Sequence, residues 1–202
     1  MSKIVIIDYG MGNIYSIQNA LKYLGYDSSY SALEDDILNA DRIILPGVGS
    51  YKKAMENIKA KKLNEVLQEA VVNKKIPILG ICLGMQILGI SGTEDGFSEG
   101  LGLFNGIVEK FSIADMKIPH IGFNEVVAPN YSILYKGINN HSDFYFIHSY
   151  RMKSEKTEGI ANCNYGEDFV ASFEDGNVFG TQFHPEKSQT NGLTLLKNFL
   201  SF

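Results

Sequence analysis

Pro77-Ile78-Leu79-Gly80-Ile81-Cys82-Leu83-Gly84-Met85-Gln86 decides how the chain is read. An apolar run of buried-strand length ends in Gly-x-Cys-x-Gly and passes straight into a helix-like Met-Gln-Ile-Leu, a nucleophile elbow with Cys in place of Ser. Cys82 is therefore the candidate nucleophile. So sharp a turn strains the backbone of its central residue, and Gly80 and Gly84 lack the Cβ atoms that would hold the flanking chains apart. The helix start brings unpaired N–H groups and a positive dipole end beneath the sulfur, favouring thiolate. The N–H of Leu83 points where a substrate oxyanion would form. A buried Cys between packing glycines has the same local pattern, so partners elsewhere in the chain must decide.

Upstream, Lys3-Ile4-Val5-Ile6-Ile7 is an apolar β-branched run typical of a buried parallel strand. It closes on Asp8-Tyr9-Gly10-Met11-Gly12-Asn13 and enters a helix with Ile14, Ile17, Leu21 and Leu24 on one stripe and Gly25 as its stop. The dinucleotide fingerprint fails, because Tyr15 stands at the third glycine's place. A weak strand near Asp27 to Tyr30 precedes Arg42-Ile43-Ile44-Leu45, which ends in Pro46-Gly47-Val48-Gly49-Ser50. Two glycines around Val48 let a peptide plane turn its N–H into a cavity, suiting the second half of an oxyanion hole. The pattern then predicts one long helix, capped by Ser50, to about Asn73, with Met55, Ile58, Val66, Leu67 and Ala70 inward. Alternating strands and helices predict a doubly wound, mostly parallel α/β sheet flanked by helices, with ligands at the carboxyl ends of its strands.

Downstream, Ser91 to Gly102 is rich in Gly and acidic residues and reads as a solvated loop. The middle of the chain predicts an antiparallel β extension: Ile107 to Phe111, Val126 to Ala128, and Asp143 through His148 and Ser149 to Tyr150. Strands at Phe169 to Phe173 and Val178 to Phe183 follow, with a last helix from Leu193 to Leu200. The 202 residues, 45% of them hydrophobic, fit a single domain spanning 1–202. A net charge of -5 argues against nucleic acid as a partner, and no apolar run reaches the ~18 residues of a membrane span. Two cysteines are too few for a disulfide framework, so reduced cytoplasm is the expected location. Neither a metal nor an organic cofactor is expected, since the four His and two Cys lack ligand spacing.

His184-Pro185-Glu186 is the motif that completes the chemistry. A thiol nucleophile needs a base to carry its proton, and the base needs a third group to fix its tautomer. An unperturbed Cys is only about 3% thiolate at neutral pH, so an imidazolium beside it matters. His184 ends one strand as Cys82 ends another, and Pro185 turns the chain so that Glu186 can fold back on the imidazole.

With both motifs quoted, the chain resembles the class I (triad) glutamine amidotransferases. Asp8 to Asn13, Pro46 to Gly49, Glu99-Gly100-Leu101-Gly102-Leu103, Pro119-His120-Ile121-Gly122-Phe123-Asn124, Phe146 to Tyr150 and His184 to Ser188 are similar to one branch, the glutaminase subunits of imidazole glycerol phosphate synthase. The resemblance implies a three-layer, flavodoxin-like sandwich and the catalytic triad Cys82, His184 and Glu186. It implies an oxyanion hole from Leu83, Val48 and Gly49, and an L-glutamine pocket from Gly47, Gly49, Gln86, Glu94, His148, Ser149 and Tyr150. Glutamine's ammonium would give Glu94 a partner. The resemblance also implies a heterodimer with a (β/α)8-barrel cyclase, which takes up ammonia to make imidazole glycerol phosphate and AICAR in histidine biosynthesis. Asn13, Phe123 and Lys187 are the interface candidates, and the turn at Val48 is a candidate switch.

Two departures from the family pattern stand out: Phe123 where Trp is common, and the run Ile87 to Gly92. Both bear on the ammonia acceptor, leaving as alternative a paralogue that aminates a surface-sugar precursor with a cyclase-like partner. A degenerate, non-catalytic module regulating a partner would lack the nucleophile, which is present here. A cysteine protease or esterase on a similar sheet is a third alternative; Gln86, Glu94 and the Gly47 to Gly49 turn favour the amide of free glutamine instead.

Overall fold

The computed structural model describes residues 2–113 and 116–202. In the first half, β1 (Ile4–Ile7), α1 (Ile14–Tyr23), β2 (Ser28–Ser31), α2 (Glu34–Leu38) and β3 (Arg42–Leu45) alternate. Then come α3 (Tyr51–Ala60), α4 (Leu63–Gln68), β4 (Ile78–Ile81) and the short α5 (Leu83–Ile87). Strands dominate the second half: β5 (Ser91–Gly92), β6 (Ser98–Glu99), β7 (Ile107–Lys110), β8 (His120–Val126), β9 (Ser142–His148), β10 (Tyr150–Lys153), β11 (Ile160–Asn164), β12 (Asp168–Asp175) and β13 (Val178–Thr181). Helix α6 (Gln189–Ser201) closes the chain.

The main sheet has the order β11-β12-β13-β4-β3-β1-β2. From β13 to β2 the strands are parallel, and β12 and β11 add an antiparallel edge. Alternate residues of one strand feed opposite cores. Val5, Ile7, Ile43 and Ile78 pack with Ile37, Met55, Ile58 and Leu67 on one side, and Ile4, Ile6, Ile44 and Leu79 pack with Ile17, Leu21, Leu196 and Phe199 on the other. A strand buried on both faces gains from apolar side chains at every position, so these segments read as unbroken apolar runs. The expected doubly wound α/β fold is the observed one. The β extension expected to be antiparallel is in part mixed: the second sheet, β10-β7-β5-β6, is antiparallel except where β5 runs parallel to β7, and the β8-β9 hairpin is antiparallel.

Several local expectations need correction. The helix expected from Ser50 to Asn73 breaks at Lys62, which is left-handed at φ 55° and separates α3 from α4, and α4 runs into a π-helical turn over Glu69–Asn73. Continuing the α3 stripe beyond Ile58 would have turned Lys61 or Lys62 inward. Stepping the phase by one residue buries Leu63 and Leu67 instead. Ser50 does occupy the N-cap, but its side chain makes no cap bond. The strand expected at Val126 to Ala128 lies earlier, as β8, with Val127 forming only an isolated bridge to Asn162. The run expected as one strand from Asp143 to Tyr150 is two, divided at Ser149 where the chain passes from the hairpin to the second sheet. The segment Ser91 to Gly102, expected as a solvated loop, carries the short strands β5 and β6 and buries Leu101, and helix α2 and strand β11 have no counterpart in the sequence pattern.

Candidate active site at the carboxyl edge of the sheet

Strands β3, β4 and β13 are adjacent and parallel, so their carboxyl ends release the Gly47 to Gly49 turn, Cys82 and His184 side by side. A crevice at this edge is where doubly wound sheets bind ligands. Cys82 has φ 56° and ψ -112°, a conformation rarely adopted by a side-chain-bearing residue. Bonds on both sides hold it there: its N–H donates to the Thr181 carbonyl at 2.7 Å, and its own carbonyl accepts from the Gln86 N–H at 3.1 Å. The elbow's glycines are sterically required. A Cβ on Gly84 would lie 1.8 Å from the Leu45 carbonyl oxygen, and one on Gly80 would lie 2.7 Å from the Gly84 oxygen.

The turn after β3 presses on the elbow. A Cβ on Gly47 would meet the Gly84 nitrogen at 2.6 Å and the Tyr9 hydroxyl at 2.7 Å, so Gly47 sits behind the site rather than on its wall. Tyr9, fully buried, donates its hydroxyl to the Pro46 carbonyl at 2.6 Å and so anchors the start of the turn. Val48 is 43% exposed and, with Gly49 at φ 106°, lines the cavity.

The side chains of His184 and Glu186 are both buried, with His184 Nδ1 2.8 Å from Glu186 Oε1. The short 3-10 turn Pro185–Lys187 folds the carboxylate back on the ring. From the hairpin, the Tyr145 carbonyl accepts from the His184 N–H at 2.9 Å, while the Ser188 hydroxyl donates to the His184 carbonyl at 2.7 Å. Nε2 of His184 is buried and has no hydrogen-bond partner among the described residues. Burial disfavours the imidazolium, but Cys82 and Glu186 outweigh it and hold His184 up to about 10.

Around them lies a cavity of about 210 Å³ lined by Val48, Gly49, Cys82, Leu83, Gln86 and Glu94 from one side and Ile147, His148, Ser149, Tyr150 and His184 from the other. That is below the roughly 300–1,000 Å³ of sites for drug-sized ligands and suits a small metabolite. Glu94 takes the capping role expected of Ser50. Its Oε2 accepts the Tyr51 N–H at the start of α3 at 3.1 Å, and burial still raises its carboxyl above the usual range. His148 Nδ1 faces the Tyr150 carbonyl at 2.8 Å and must carry the proton, leaving Nε2 to accept from His120 Nδ1 at 3.1 Å. Burial pushes His120 down to about 4 and His148 to about 3, so both are neutral at pH 7.

The interface candidates are placed as follows. On the outer face of the hairpin, Phe123 is 49% exposed and packs edge-on against Tyr145, with Lys187 Nζ 5.8 Å from the same ring. Ile121, 56% exposed, pairs across the hairpin with Ile147, which reaches the cavity. Asn13 is the N-cap of α1. Reading the sequence missed Tyr9, Ile147 and the buried Gln182. For Gln182 the signal was a polar residue at the end of an apolar strand, two positions before His184.

The family model "Glutamine amidotransferase class-I" matches residues 5–201. The chain belongs to this family. It is 47% identical over 197 residues to "Imidazole glycerol phosphate synthase subunit HisH 1" of Campylobacter jejuni strain 81-176, covering 97% of this chain and 98% of that one. It is 45% identical to the subunit of the same name from Parasynechococcus marenigrum, covering 100% and 99%, and 42% identical to HisH of Leptospira borgpetersenii, covering 97% and 98%. Among solved structures, PurLQS from Thermotoga maritima matches with a TM-score of 0.77 at 22% identity, covering 100% and 99%. That match is a likeness of fold. The glutamine amidotransferase is thus an enzyme of the glutaminase type. No helix among the described residues is long and apolar enough to cross a membrane. Nor, among them, do three or more His, Cys, Asp or Glu side chains gather as metal ligands.

Proposed function

We infer that residues 1–202 form one domain, the cytoplasmic glutaminase subunit of an imidazole glycerol phosphate synthase, with Cys82, His184 and Glu186 as its triad. The observation that carries this reading is the meeting of Cys82 and His184 at one small cavity, with Glu186 behind the imidazole and Gln86 and Glu94 on the wall. The Cys82 thiolate attacks the side-chain carboxamide carbon of L-glutamine, forming a carbon–sulfur bond and pushing the carbonyl electrons onto oxygen. N–H groups of Leu83 and of the Val48-Gly49 turn hold that oxyanion, and Gly47 gives the turn its close approach. On collapse the carbon–nitrogen bond breaks, and His184 gives its proton to the leaving amine, releasing ammonia. Water, deprotonated by His184, then attacks the glutamyl thioester and frees glutamate and thiolate. Glu94 pairs with the substrate ammonium, while Gln86, His148, Ser149 and Tyr150 hold the rest of the amino acid.

The ammonia passes to a (β/α)8-barrel cyclase bound over the open side of the cavity, which makes imidazole glycerol phosphate and AICAR for histidine biosynthesis. Names of the relatives at 42–47% identity support the pathway. The exposed strip of Ile121, Phe123 and Ile147 with Lys187, continuous with the cavity wall, supports docking there; Asn13 extends the interface, and the Val48 turn is the element that partner binding would switch. The test is glutamate release by the chain alone and with the histidine-pathway cyclase and its nucleotide substrate. Release is expected only in the complex, and Phe123→Glu is expected to weaken cyclase binding by about tenfold or more. Stimulation by a cyclase-like protein of a surface-sugar pathway, with none by the histidine cyclase, would overturn the pathway assignment.

A pH dependence follows. The folded-state value of His184 is raised, so its proton is held through neutral pH and lost as pH rises through about 10. Acylation needs that proton for the leaving amine. In the complex, kcat/KM should therefore fall along an alkaline limb, and Glu186→Gln, which removes one raising group, should move that limb to lower pH and cost about 10²-fold in rate. A limb that stays in place in Glu186→Gln would contradict the orienting role.

A further inference from the structure

Behind the cavity a chain of side-chain amides ends on the nucleophile. Gln86 Nε2 lies 3.0 Å from the Tyr150 carbonyl and 2.9 Å from Gln182 Oε1, and Gln182 Nε2 lies 3.8 Å from Cys82 Sγ. Amide oxygen and nitrogen look alike in outline, so orientation must be argued from partners. A backbone carbonyl can only accept, which makes the Gln86 group facing Tyr150 its NH2. That NH2 has a second hydrogen, so the Gln182 atom it meets must be oxygen. The remaining Gln182 atom, the NH2, is thereby turned toward the sulfur. Gln182 is fully buried, so its carboxamide has no solvent alternative.

We propose that Gln182 is a positioning residue for the nucleophile: its carboxamide, locked in one orientation by Gln86, presents an N–H to Cys82 Sγ and favours the thiolate. The neutral thiol has its own acceptor, the Ile147 carbonyl at 3.9 Å. Once the thiol ionises that carbonyl faces a negative sulfur, and the Gln182 N–H offsets the repulsion. A donor is worth more to an ion than to a neutral group, so the bond acts on the protonation step. It also joins the glutamine-binding wall to the nucleophile, because Gln86 belongs to both.

The proposal rests on Cys82 as nucleophile, yet its test reads thiol reactivity and needs no glutamine turnover, so the two readings fail separately. The measurement is the rate of Cys82 alkylation by iodoacetamide from pH 6 to 10, with Cys163 replaced by Ala in parent and variants alike. His184 and Glu186 beyond β13, Glu94 between β5 and β6, His148 of β9, Tyr150 of β10 and Tyr9 beyond β1 are the titratable groups near the sulfur, and all are retained. Gln182→Met keeps the length of the side chain and removes the donor; it should slow alkylation about tenfold at pH 7, with the deficit closing toward pH 10. Gln182→Glu keeps the bond from Gln86 but turns a carboxyl oxygen to the sulfur, and should be slower still. Parent rates in Gln182→Met, or a deficit equal at every pH as simple displacement of the thiol would give, would overturn the proposal. Should Gln182→Met lose its cooperative melt, the near-isosteric Gln182→Glu carries the same comparison, and Gln86→Met, which only unlocks the carboxamide, should show part of the same deficit.

Discussion

Cys82→Ala is expected to lower glutamate release by the stimulated complex by about 10⁴-fold or more while leaving the melting temperature near that of the parent. The two expectations belong together. The mutation removes the atom that forms the thioester, and the residual rate is what binding and the oxyanion donors supply alone. Its effect on folding is small because Ala at φ 56° carries the same backbone strain as Cys, and both bonds fixing residue 82 are made by the backbone. Because the triad acts as a unit, adding His184→Asn to Cys82→Ala should cost little more. Glutamate release and thermal melting on the same preparations check both halves.

Gly84→Ala is expected to be among the most damaging single-methyl changes at the described glycines. The added Cβ would stand 1.8 Å from the Leu45 carbonyl oxygen and 2.8 Å from its carbon, both backbone of a central strand. No flexible side chain can swing away, so either β3 and the elbow separate or the fold does not close. A loss of about 4 kcal/mol or more is expected, a fall of roughly 10 °C in melting temperature for a chain of this size, along with the activity. Gly176→Ala is the contrast. Gly176 has φ 60° but open space around it, so only the backbone term of about 1 kcal/mol applies. Comparable melts for the two variants would show that the elbow is not held by close packing.

What was legible in the sequence follows from which physical constraint dominated each segment. Strands β1, β3 and β4 are buried on both faces and the elbow admits only glycine two residues to either side of Cys82, so local pattern alone identifies them. His184-Pro185-Glu186 was legible because its partners lie within one turn of chain. Strand β8 was misplaced because its polarity runs opposite to a half-buried strand: Ile121 and Phe123 point out, while His120 points in. The break at Lys62 has no Gly or Pro to announce it and comes from two lysines that could not be buried. Glu94 as cap of α3 and Gln182 as donor to Cys82 depend on segments 43 and 100 residues apart, a distance over which local pattern carries no information.

The most direct measurement is covalent labelling by 6-diazo-5-oxo-L-norleucine, a glutamine mimic that alkylates the nucleophile which attacks it, followed by peptide mass mapping of parent and Cys82→Ala complexes. One adduct on the peptide containing Cys82, rising in step with loss of glutamate release and absent from the variant, is the expected result. An adduct on Cys163, or undiminished glutamine hydrolysis with Cys82 fully labelled, would contradict the assignment of Cys82 as the nucleophile.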